Sequence, residues 1–120
     1  MGLDMYAYMT SETPEKPVDF KVTEASQFFY WRKHPDLHGW MEELYREKGG
    51  TEQFNCVPVQ INAEDLDRLE ADIRSGDLPD TTGFFFGNSD GSETEDDLAF
   101  ITAAREALAE GYTVYYDSWW

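Results

Sequence analysis

Nowhere in these 120 residues is there the aliphatic run that a strand buried on both faces requires. The strand-like segments are short, rich in tyrosine and only partly apolar, and they alternate with helical patterns. That alternation permits parallel crossovers. The composition of the strands points instead to an α+β fold, a single two-layer domain of residues 1–120 with a mixed sheet of about four to five strands and three helices.

Local signals place the elements. In residues 3–9, Met5, Ala7 and Met9 alternate with Tyr6 and Tyr8, a strand with two packable faces. Residues 10–17, with Pro14 and Pro17, read as a loop, and the aromatic end of 20–30 as a possible short strand. A helix is expected from Pro35, with Leu37, Trp40, Met41, Leu44 and Tyr45 on one face and Gly49-Gly50 ending it. Residues 55–61 read as a strand that Pro58 pushes toward a sheet edge. Asn62 is the natural N-cap of the next helix, whose seam is Leu66, Leu69 and Ile73, and Ser75-Gly76 stops it. Residues 83–87 predict a short aromatic strand. Thr94 and Asp97 have the spacing of a capping box for the third helix, with Leu98, Ile101, Thr102, Arg105 and Leu108 on one face or its flank. Residues 112–119 form the last strand.

Charge narrows the function classes. Asp and Glu number 25 against 9 Lys and Arg, a formal charge of -16. Direct nucleic-acid binding is disfavoured, because its affinity comes largely from Lys and Arg displacing counterions. A basic protein partner would be attracted. Cys56 is the sole cysteine, which rules out an internal disulfide and fits a reducing compartment; its strand setting predicts buried filler. Residues 1–10 lack a signal-peptide pattern, and no apolar stretch approaches the roughly 20 residues of a membrane span. The expectation is a cytoplasmic protein with no membrane association.

Against this acidity, Arg32, Lys33, His34 and His38 fall within seven positions beside Trp31 and Trp40. The group enters the first helix, whose N-terminus leaves N–H groups unpaired. A guanidinium fork, an ammonium and a flat indole suit an anionic ligand bearing a ring or a carboxylate. Pairing with the fold's own carboxylates is the competing explanation. His34 and His38 have metal-sharing spacing, but no third ligand is singled out, so neither metal nor cofactor is expected. The acidic run at 90–97 lacks EF-hand spacing and reads instead as a solvated helix start stabilised by the helix dipole. Neither a nucleophile elbow nor a phosphate loop occurs, and no catalytic residue is assigned.

Taken together, Met1-Gly2-Leu3-Asp4-Met5-Tyr6, Tyr30-Trp31-Arg32-Lys33, Leu37-His38-Gly39-Trp40, Phe84-Phe85-Phe86-Gly87 and Ser118-Trp119 resemble a widespread set of small bacteriophage and prophage proteins. The resemblance runs the length of the chain, and Trp120 and the acidic loop at 90–97 depart from it. No activity comes with the resemblance. It implies that Trp31, Arg32, Lys33, His38, Thr102 and Trp119 belong to one shared feature, pocket or core.

The expected function is therefore a small phage-type binding protein of the infected bacterial cytoplasm, without catalysis, holding an anionic or aromatic small molecule in the region from Trp31 to His38. One alternative is an acidic phosphate mimic that inhibits a basic, nucleic-acid-binding host protein through residues 64–72 and 90–97. Another is a small enzyme with His38 as acid or base and Arg32 as anion stabiliser.

Overall fold

A computed structural model describes residues 3–32, 34–78 and 94–119. The strands are β1 (Asp4–Thr10), β2 (Ser26–Arg32), β3 (Val59–Ile61) and β4 (Thr113–Trp119), and the helices α1 (Pro35–Glu47), α2 (Ala63–Ser75) and α3 (Thr94–Ala109). The sheet order is β2-β1-β4-β3. The radius of gyration of 13.3 Å agrees with about 13.6 Å expected for one domain of this length. The α+β architecture with three helices and four strands matches the sequence expectation. The expected strand at 83–87 lies outside the described residues.

All three pairings are antiparallel, so the sheet is not mixed in its described strands. Antiparallel pairing suits these strands because it tolerates one wet face. Met5 and Ala7 of β1, Val114 and Tyr116 of β4, and Val59 and Ile61 of β3 point into the core, and residues between them point away. All three helices contribute to the same core.

Helix boundaries follow local chemistry. Pro35 opens α1, which buries Leu37, His38, Trp40, Met41, Leu44 and Tyr45. α2 opens with a full capping box: Asn62 Oδ1 accepts from Asp65 N at 2.9 Å, and Asp65 Oδ2 accepts from Asn62 N at 3.0 Å. It closes on Gly76 in the left-handed region. In α3 the buried residues are Asp97, Phe100, Ile101, Ala104 and Ala107, a face rotated from the one expected. Apolar residues and alanines on several sides made its periodicity ambiguous, and Phe100 decides the orientation by packing on β2.

That packing depends on an irregularity. Ala7 pairs with Phe29 but Tyr8 pairs with Gln27, so Phe28 is the extra residue of a bulge. Consecutive phenylalanines thus both reach Phe100, at centroid distances of 5.9 and 5.8 Å. β3 is shorter than expected. Pro58 has no N–H for a ladder, and Cys56 at φ 60° breaks the extended run before it. The Cys56 side chain is exposed and not core filler.

Candidate functional site

The cationic and aromatic cluster divides between two sides of the sheet. Trp31 points inward, 5% exposed, and its indole Nε1–H donates to Asp97 Oδ1 at 3.1 Å. His34 Nε2 lies 2.8 Å from Asp97 Oδ2, also buried. One carboxylate from α3 therefore satisfies two donors near the start of α1. This overturns the expectation that Asp97 belongs to a solvated, acidic helix start; its carboxylate oxygens face Trp31 and His34.

His38 is 1% exposed, and its Nδ1 lies 2.6 Å from the Tyr116 hydroxyl. Burial lowers the imidazole pKa to about 4 and pushes the Tyr116 phenol well above its usual value. At neutral pH the phenol keeps its proton and the ring is uncharged, so the two are joined by a neutral hydrogen bond. The rings of Trp31 and His38 both lie near that of Tyr116, at 6.5 and 6.0 Å. Ser118, on the same inward side of β4, buries an Oγ with no hydrogen-bond partner among the described residues. These groups form a polar seam within the core, and the geometry disfavours His38 as a general base near neutral pH.

Arg32 follows Trp31 in β2 and so points to the other side. It is exposed and makes no ion pair among the described residues. Asp4 pairs with Arg32 on one flank and with Trp119 on the other. Trp119 is 66% exposed. Thr102 belongs to neither group: it is exposed on α3, its hydroxyl donating to the Leu98 carbonyl at 3.2 Å. Lys33 lies outside the described residues. The five described residues of the six implied by the resemblance therefore do not converge: Trp31 and His38 enter the core, Arg32 and Trp119 share the outer sheet face, and Thr102 stands apart on α3.

That outer face carries a row that no sequence motif marks. Tyr30, Tyr6, Tyr8, Tyr115 and Phe20 form a chain of ring contacts with successive centroid distances of 5.4, 6.0, 5.2 and 5.2 Å. The available signal was the i, i+2 spacing of Tyr6 and Tyr8 and of Tyr115, Asp117 and Trp119. Tyr30 donates its phenol to Asp4 Oδ1 at 2.6 Å, and this bond is the main reason its pKa is raised. Asp117 pairs with Tyr6, and burial raises its carboxyl pKa. Burial, with Asp117 nearby, pushes Tyr115 up to about 12.

The acidic surfaces are less bare than a phosphate mimic needs. Arg105 binds Asp67 and Glu70 at 2.8 and 2.7 Å, Asp65 holds Lys48, and Asp72 accepts from Trp40 Nε1. Residues 90–93 lie outside the described residues. Among the described residues no group of three or more His, Cys, Asp or Glu is arranged to hold a metal ion, and no helix is long and apolar enough to cross a membrane. Compared with family models, with characterised proteins and with solved structures, the chain finds no match.

Proposed function

We propose that this is a non-catalytic binding protein whose working surface is the outer face of the sheet, and that its partner is a basic protein segment. The rings of Tyr30, Tyr6 and Tyr8, flanked by Asp4 and Asp117 and backed by buried Tyr115, carry this reading. Aromatic faces attract guanidinium and ammonium groups, and carboxylates beside them add charge complementarity. A formal charge of -16 would steer such a partner toward the protein. The resemblance to small phage proteins favours an interaction in the infected bacterial cytoplasm, with a host protein as the partner.

Calorimetric titration with an oligo-arginine peptide and an oligo-glutamate control tests the reading. Binding of the cationic peptide should weaken about tenfold or more in a Tyr30→Ala, Trp119→Ala double variant and in Asp4→Asn, as expected when rings and a partly desolvated acid carry the contact. Affinity unchanged by these variants would reduce the interaction to general charge attraction and overturn the site.

A second reading rests on Arg32 and Trp119, both exposed beside Asp4, with the guanidinium free of ion pairs among the described residues. An anionic aromatic molecule could stack on the indole and pair with Arg32. It predicts a ligand-induced rise in Tm that Arg32→Ala abolishes while leaving the fold intact.

A further inference from the structure

Three of the nine Lys and Arg residues, from two separate segments of the chain, line one hollow of about 620 Å3 at the β3 edge. Lys16 and Lys21 come from the loop before β2, and Lys48 from the end of α1. Phe20, Val57 and Pro58 supply apolar wall. Asp19 and Glu52 also line it, so three cations face two carboxylates in a chain where acids outnumber bases by 25 to 9.

Part of this lining is held in place. Pro17 O accepts from Gln60 N at 2.8 Å, Pro58 O accepts from Asp19 N at 3.3 Å, and Val18 bridges to Val59. Asp19 Oδ1 accepts the Tyr45 hydroxyl at 2.7 Å. Lys48 is committed to Asp65 Oδ2 and Gln60 O, at 2.5 and 2.6 Å. Lys16 and Lys21 are exposed and make no ion pair among the described residues.

The backbone supports a built feature. The only non-glycine residues with positive φ among the described residues are Asp19, at 54°, and Cys56, at 60°, and both line this hollow. Such conformations cost free energy and concentrate where a wall must hold a particular shape.

We propose that this hollow is a binding site for a small oxyanion with an apolar or aromatic body, the phosphate or carboxylate held by Lys16 and Lys21 and the body resting on Phe20 and Pro58. It adjoins the outer sheet face at Phe20, whose ring also packs on Tyr115, but its lysines lie outside the tyrosine row. Lysine suits the role as a mobile point charge, and the apolar wall distinguishes an organic anion from a free inorganic one.

Cys56, exposed on the wall, supplies the readout. Its thiolate displaces iodide from iodoacetamide, forming a carbon–sulfur bond, and an occupied hollow shields it. Phenyl phosphate at about ten times its dissociation constant should slow alkylation about tenfold, by simple occupancy. Phenol and inorganic phosphate at equal concentration should protect far less. A Lys16→Gln, Lys21→Gln variant, whose exposed substitutions should leave Tm unchanged, should lose the protection. Absence of protection by phenyl phosphate, equal protection by phenol, or protection retained in the double variant would each overturn the proposal. Equal protection by inorganic phosphate would overturn the part assigned to the apolar wall.

Discussion

Trp31 and Arg32 are consecutive residues on opposite sides of one sheet: the indole donates to buried Asp97, whereas the exposed guanidinium belongs to the residue paired with Asp4. Strand alternation makes this separation unavoidable. It splits a compact sequence cluster into a core element and a surface element, and the two respond differently to substitution and pH.

The core element predicts an acid-sensitive step. Buried His38 binds its proton only near pH 4 in the folded state, against 6.5 for the free side chain. Between those values the unfolded chain binds more protons, so stability is fully present above pH 6.5 and falls as pH drops toward 4. The difference between those two values corresponds to roughly 3 kcal/mol. Urea denaturation across this range should show a steeper loss for the wild type than for His38→Gln, and equal slopes would refute the assignment.

Asp97 lies within hydrogen-bond distance of two buried side chains, Trp31 and His34. Asp97→Ala leaves the Trp31 indole N–H and the His34 imidazole without that acceptor, at a cost of about 3 kcal/mol. Asp96→Ala, at the exposed neighbour, should change the urea midpoint little. Comparable losses in both variants would mean that α3 responds to helix-start charge, with the buried bonds contributing nothing.

The turn after α1 offers a steric test. A Cβ at Gly50 would overlap the Tyr45 ring, whose hydroxyl is tied to Asp19 Oδ1 and accepts from Glu52 N. Gly50→Ala should therefore cost about 2 kcal/mol as overpacking. Gly49 has open space but φ of 102°, so Gly49→Ala should cost about 1 kcal/mol through backbone strain alone. Thermal denaturation that ranks the two in the reverse order would show that the Tyr45 ring yields.

Much of the element order was legible because its signals are local. Pro35 opens α1, Asn62 and Gly76 bracket α2, and the alternation in β1 and β4 marks which residues share a face. Each depends on a residue's own backbone preference or on neighbours a few positions away. The bulge at Phe28 and the orientation of α3 were hidden, because both follow from packing between segments distant in the chain.

The candidate site was legible only as a list of residues. By itself the sequence determined the order of the described helices and strands, that the chain is strongly acidic, and that its cations and rings cluster before α1. Only the tertiary structure decided that His34 meets Asp97 across 63 positions and His38 meets Tyr116 across 78. The same folding left Arg32 and Trp119 outside with the tyrosine row. Propensity and capping act over a turn or two of chain, whereas burial of a charge is set by whichever distant element packs over it.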